Sequence, residues 1–241
     1  MFEHINHPQY GLRGKTFSWL GEDNEENFRR HLADQQKRRF LENSGWLDTE
    51  IEYSFNQHGF RSPEFDPKVD HICVFGCSMT FGVGINQHQR YSDMLADYLG
   101  TACYNFGVSG GNDSASFRLA YTWLPKLRPS LVVYQTTFPE RFEIIENNHS
   151  KSMGVNAALG GPVPIGQGDL YKIWMINEEN SQLLSLKNQL AMQALCRELN
   201  VKLIQITHED FFGPWTTWAR DTHHPGHDAN KKVLDIVKQK L

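Results

Sequence analysis

The sequence contains no run of about 18 apolar residues, so no stretch of it reads as a membrane-spanning helix. The opening Met1-Phe2-Glu3-His4-Ile5-Asn6-His7 does not place a basic region before an apolar one. No secretory leader is legible there, and the cytoplasm is the default compartment. Only four cysteines occur (Cys73, Cys77, Cys103 and Cys196), none in a Cys-x-x-Cys pair, which argues against a zinc ribbon or a dithiol redox motif. A large excess of charge of one sign is also lacking. A formal net charge of −4 gives no global electrostatic reason to expect a nucleic-acid partner. No repeat of fixed period is present, which excludes solenoids and propellers.

What remains is ordinary for a globular domain: 241 residues, 39% hydrophobic and 22% charged. That length can bury a sizeable core without disulfides or metals. Residues 22–41 are rich in Glu, Arg, Lys and Gln with sparse apolar points at Phe28, Leu32 and Phe40, the pattern of a solvated amphipathic helix. The cluster Lys37-Arg38-Arg39 within it reads as a solvated face, because nearby acids offset it and no aromatics interleave. Trp19, in the irregular stretch before it, is expected to pack onto a neighbour. From residue 71 onward strands alternate with helices. Strands are expected at 71–75, 102–108, 131–137 and 201–207, and helices at 91–99, 114–127, 181–199 and 227–240. Such alternation argues for a parallel sheet covered by helices on both faces.

The chemistry concentrates in two places. His71-Ile72-Cys73-Val74-Phe75-Gly76-Cys77-Ser78 is an apolar strand that ends at a glycine, where the chain is expected to turn sharply, with a serine two residues beyond. Ligands in open α/β sheets bind at that carboxyl edge. A lone Gly-x-Ser more often caps a helix or turn. Here, however, Asp221-Thr222-His223-His224-Pro225 supplies a base and a carboxylate to orient it. A serine hydroxyl needs such a base to become nucleophilic, and the base needs its tautomer fixed. Asp221 and His224 are three residues apart, so one turn of backbone brings both side chains to one face.

Gly76-Cys77-Ser78 resembles the Gly-Asp-Ser block of SGNH/GDSL hydrolases, with Cys77 in place of the usual Asp, and Asp221-Thr222-His223-His224 resembles their Asp-x-x-His block. Asn105-Phe106-Gly107-Val108-Ser109-Gly110 is similar to the second block, and Tyr53 to Arg61 is similar to the lead-in before the first strand. The resemblance covers residues 53–241, after a helical N-terminal extension at 1–52. It implies a three-layer α/β/α fold with a mainly parallel, flavodoxin-like sheet. It implies also that Ser78 is the nucleophile, His224 the base and Asp221 its orienter, with the Ser78 and Gly110 N–H groups holding the oxyanion. No cofactor and no metal is then required.

The chain departs from that pattern after the third strand. Tyr134-Gln135-Thr136-Thr137-Phe138-Pro139-Glu140-Arg141 lacks the Asn that donates to the oxyanion in the resembling enzymes. Losing one such donor costs about 10²–10³ in turnover. Asn112 is the first candidate substitute, ahead of Gln135, Thr136 and Thr137. Thr137, Trp215, Trp218 and His223 are expected to contact substrate. The aromatics Phe211, Phe212, Trp215 and Trp218 read equally as a sugar- or acyl-binding surface and as core under the loop. Residues 147–180, rich in Gly and Pro, read as a lid-like insertion or a surface excursion. Arg61 is expected to have an internal carboxylate partner or to reach an anionic substrate.

The glycine-rich stretch after the first strand lacks the Gly-Lys-Ser/Thr ending of a phosphate loop, and Thr80 replaces the second glycine of an α/β-hydrolase elbow. The expected activity is hydrolysis of a small-molecule or carbohydrate ester, with an O-acetyl or other short acyl group removed through an acyl-enzyme, and no nucleic-acid or membrane partner. Three alternatives stay open: an acyltransferase using the same triad, a glycan-binding domain that has lost catalysis, and a metal hydrolase drawing on Asp221, His223, His224, His227 and Asp228.

Overall fold

The computed structural model describes residues 2–153 and 177–241. In chain order the elements are β1 (Thr16–Phe17), α1 (Glu25–Ala33), α2 (Gln35–Asn43), β2 (Tyr53–Ser54), β3 (His71–Phe75), α3 (Ser78–Phe81), α4 (Tyr91–Leu99) and β4 (Ala102–Asn105). There follow α5 (Asp113–Leu127), β5 (Leu131–Gln135), β6 (Phe142–Glu146), β7 (His149–Met153), α6 (Glu178–Glu198), β8 (Lys202–Ile206) and α7 (His227–Gln239).

The apolar runs of the sequence form one all-parallel sheet in the order β4-β3-β5-β8. Side chains alternate across it, as the pleat requires. Ile72 and Val74 of β3, with Leu131 and Val133 of β5, face a core shared with Tyr91 and Leu95 of α4 and Val233 and Val237 of α7. Cys73, Phe75, Val132 and Tyr134 face the other side, against Leu119 and Leu124 of α5 and Met192 and Leu195 of α6. The result is the expected α/β/α sandwich. From β3 the chain moves one way to β4 and then crosses to β5 on the other side, so the loops after β3 and β4 diverge at a topological switch point, where such sheets open a crevice. Among the described residues no helix is long and apolar enough to cross a membrane.

The N-terminal residues differ from expectation in form. The single helix read over 22–41 is two, broken at Asp34, whose carboxylate accepts from the Gln36 and Lys37 N–H groups and so starts α2. A third core cluster joins Leu41, Trp46 and Ile51 to Phe81, Val83, Ile85 and Ala219, crossing the boundary expected at residue 52. Trp19 packs on Phe28 and lies 3.6 Å beneath the Arg220 guanidinium.

Residues 147–153, expected as the start of a lid, instead complete a hairpin. β6 and β7 pair antiparallel about a turn at Asn147 and Asn148, both with positive φ, of 50° and 62°. The rest of the expected lid up to residue 176 lies outside the described residues.

His7 ties the N-terminus to the sheet's lead-in. Its ring stacks on Phe60 at 4.1 Å between centroids, and Nε2 donates to the His58 carbonyl at 2.8 Å. Burial depresses its pKa from 6.5 to about 4, although the bond to His58 opposes the shift. The unfolded chain therefore takes up this proton below about pH 6.5 while the folded chain refuses it until about pH 4, and stability is lost across that window as pH falls. We expect this group alone to remove about 3 kcal/mol of unfolding free energy between neutral pH and about pH 4. His7→Gln should flatten the pH dependence of urea unfolding by about one proton, and an unchanged slope would refute the assignment.

Candidate active site

β3 delivers the serine. Beyond Phe75 the chain passes Gly76 and the extended Cys77 and enters α3 at Ser78, which is 7% exposed. Glycine at 76 answers to space: a Cβ there would lie 2.4 Å from Thr80 Oγ1 and 2.6 Å from Gln135 Oε1. Those two side chains are hydrogen-bonded at 2.6 Å, with Thr80 donating, and Gln135 Nε2 donates to Cys77 Sγ at 3.3 Å. The buried Gln135 thus holds the turn that carries Ser78 from behind.

The loop before α7 delivers the other two groups. His224 Nε2 lies 2.9 Å from Ser78 Oγ, and Nδ1 lies 2.5 Å from Asp221 Oδ2. Asp221 Oδ1 accepts the backbone N–H groups of His223 and His224, each at 3.0 Å. Burial raises the Asp221 pKa, but the His224 charge and these three hydrogen bonds outweigh it and hold the carboxyl below its usual range. An ionised Asp221 accepts from Nδ1–H, which leaves the Nε2 lone pair facing the serine hydroxyl.

The loop is fixed from behind by the N-terminal residues. Arg220 makes a buried two-point contact with Asp23, Nε to Oδ1 and an NH2 to Oδ2, each at 2.8 Å, and Tyr53 Oη donates to Asp23 Oδ2 at 2.5 Å. The Tyr53 hydroxyl donates at all ordinary pH because burial and the Asp23 charge push its pKa up. Gly84, with φ of 68°, lets the backbones touch: its carbonyl accepts from Arg220 N–H at 2.7 Å, and a Cβ would sit 2.9 Å from Ala219 Cβ. Trp46 Nε1 donates to the Trp218 carbonyl, and Trp218 N–H donates to Ser44 Oγ.

The expected oxyanion donors separate. Gly110 (φ 71°) lines the same cavity as Ser78, and neither backbone N–H has an acceptor among the described residues. The loop is close because a Cβ on Gly111 would reach 3.4 Å from Cys77 Cα. Asn112 faces elsewhere. Its side-chain oxygen caps α5 through Ala115 N–H, and its amide donates to Ser152 Oγ at 2.8 Å. Thr137 N–H donates to Asp113 Oδ1 and Thr136 N–H to the Ile206 carbonyl, so these residues continue the sheet edge, and none of Gln135, Thr136 and Thr137 lines the cavity. Arg61, read as a partner of a carboxylate, donates to the backbone carbonyls of Glu52, Gly82 and Ile85 instead. Asp228, of the alternative metal set, hydrogen-bonds Thr216 Oγ1, and among the described residues no three His, Cys, Asp or Glu side chains gather as ligands.

No family model and no curated protein matches the chain. Solved structures similar to it include a member of the lipolytic protein G-D-S-L family from Veillonella parvula, 12% identical, covering 70% of this chain and 96% of that one at a TM-score of 0.35. Another is a psychrotrophic esterase from a Pseudoalteromonas species, 13% identical, covering 71% and 98% at 0.34. A third is an acetyl xylan esterase, 13% identical, covering 71% and 99% at 0.38. With similarity at this level, the reading of the site rests on its own geometry.

Two cavities meet at Ser78 and His224. One, of about 470 Å³, is walled by Phe138, Phe212, Trp215 and Trp218, while Phe211 is in the core. The other, of about 540 Å³, is walled by His223 and Gly110 and by residues the sequence had not pointed to: Arg30 and His31 of α1, Lys37 of α2, and Arg141. Lys37 belongs to the run read as a solvated face. Arg38 does pair with Glu42 in solvent, but Lys37, one residue earlier, lines the cavity that also holds Ser78.

Proposed function

We propose that the protein is a serine-dependent carboxylic ester hydrolase. The observation that carries this reading is the unbroken hydrogen-bonded chain Ser78 Oγ, His224 and Asp221 beside two open N–H donors. Ser78 Oγ attacks the ester carbonyl carbon while His224 Nε2 takes the hydroxyl proton, and Asp221 stabilises the imidazolium. The Ser78 and Gly110 N–H groups receive the developing oxyanion. Collapse breaks the C–O bond to the alcohol, which leaves with the proton from His224. A water activated by the same imidazole then releases the acid from the Ser78 ester. No metal or organic cofactor enters this sequence. The aromatic cavity suits a short acyl group or the face of a sugar ring, which supports O-acetyl or similar small esters, carbohydrate esters among them.

A fluorophosphonate probe tests the reading directly. We expect one covalent adduct, mapped to Ser78, that disappears in Ser78→Ala and forms far more slowly in His224→Ala. Absence of an adduct on the folded wild-type chain would leave the fold as a binding domain.

A further inference from the structure

The chain carries a small net negative charge, yet the cavity beside Ser78 is lined by cations. Arg30, Lys37 and Arg141 reach it from three separate elements or loops, and Glu22 is the one carboxylate in its described wall besides Asp221, which is engaged by His224. None of the three makes an ion pair among the described residues: Arg30 is exposed and Lys37 and Arg141 are half-buried, whereas the buried Arg90, Arg118 and Arg220 pair with Asp93, Glu143 and Asp23, and the buried Arg61 is held by backbone carbonyls. Arg30 donates only to the neutral Asn27 side chain, at 2.7 Å. Arg141 rests on the Phe138 ring at 4.5 Å and leaves one guanidinium nitrogen buried without a partner. A buried, unpaired charged donor is costly, and such donors are retained where something else satisfies them. The cations also act on one another's neighbourhood: burial first, then the charges of Lys37 and Arg30, hold the His31 imidazole below its ordinary range.

We propose that this cavity binds an anionic group of the substrate, so that the ester bears a carboxylate, sulfate or phosphate which Arg30, Lys37 and Arg141 receive while the carbonyl lies at Ser78. This rests on the hydrolase reading above and specifies its substrate class. The N-terminal helices are then the specificity wall of the site. Arg141 lines both cavities, so it stands where the anionic part of the substrate meets the reacting part.

The test uses the full chain with Ser78→Ala and three non-hydrolysable amides titrated by calorimetry. Acetanilide is neutral, 4-acetamidobenzoate carries its carboxylate on the side of the leaving group, and N-phenylsuccinamate carries it on the acyl side. We expect one of the two anions to bind at least about tenfold more tightly than acetanilide, with the preference weakening as salt is raised from about 0.02 M to about 0.5 M. Arg30→Gln, Lys37→Gln and Arg141→Gln should each bring the anion-to-neutral ratio severalfold toward one, whereas Arg38→Gln, on the solvated face, should leave it unchanged. Anion affinity no greater than that of acetanilide, undetectable binding of both anions included, overturns the proposal. The wild-type chain is then given the matching esters. Anion binding without ester turnover or Ser78 labelling would remove the hydrolase reading and leave the anion site standing. Turnover of phenyl acetate with no anion preference would do the reverse.

Discussion

Asp221→Asn is expected to lower ester turnover by about 10⁴-fold while leaving the fold intact. The asparagine is nearly isosteric, and its side-chain oxygen can keep one role of the carboxylate, accepting the His223 and His224 N–H groups that shape the loop. Its NH2 would then face His224 Nδ1. Two donors cannot share one hydrogen bond, so the imidazole is driven to carry its proton on Nε2 and loses the lone pair that faces Ser78 Oγ at 2.9 Å. The effect should appear in kcat and in the rate of fluorophosphonate labelling alike, with circular dichroism and urea midpoint near those of the wild type. A loss below about tenfold would mean that Asp221 is a turn cap and that some other group orients the base.

The largest effect on stability is expected behind the site. Asp23→Ala removes one half of an ion pair in which the Arg220 and Asp23 side chains are 3% and 1% exposed. It strands a buried guanidinium and frees the Tyr53 hydroxyl at the same time. Breaking a buried pair from one side costs about 3–5 kcal/mol, because the remaining charge has lost its compensation. Replacing both partners, Asp23→Leu with Arg220→Met, should cost much less, since no charge is left in the interior. Urea denaturation of the three chains decides this. A single variant within about 1 kcal/mol of wild type would show that solvent reaches Arg220 when Asp23 is absent. Turnover should fall in the single variant as well, because Arg220 precedes Asp221 and its N–H is anchored to Gly84.

Much of this arrangement was legible in the sequence, and the reasons are local. The β3 and β5 runs are apolar from Ile72 to Phe75 and from Leu131 to Tyr134 because both faces of the sheet are covered, and α7 has its apolar residues at helical spacing. The strand read over 102–108 is shorter in the structure, ending at Asn105, although Phe106 and Val108 still donate to the Val74 and Gly76 carbonyls and so extend the ladder irregularly. The Ser78, Asp221 and His224 set was visible because its spacing and order carry chemical meaning. Illegible were features that depend on what the N-terminal residues cover. Asp34 looked like one more polar position on a solvated helix, yet it breaks that helix and lets α1 and α2 fold toward the site. Lys37 and Arg38 are neighbours of the same charge, and only tertiary placement sends one to the cavity and the other to solvent. The place of Asn112 was misleading for a similar reason: an Asn two residues past Gly110 serves equally as an oxyanion donor or a helix cap, and α5 claims it.

The contact between Asp23 and Arg220 joins residues 197 apart in the chain, and Ser78 and His224 are themselves 146 apart. Pairings of such separation pay a large loop-closure entropy and form late in folding. A nascent chain that has already exposed Ser78 therefore holds an ordinary, unreactive alcohol until the segment bearing Asp221 and His224 has been made and clamped in place. On the proposed mechanism reactivity is a property of the finished molecule, so a chain that lacks Asp221 and His224 is expected to be chemically silent.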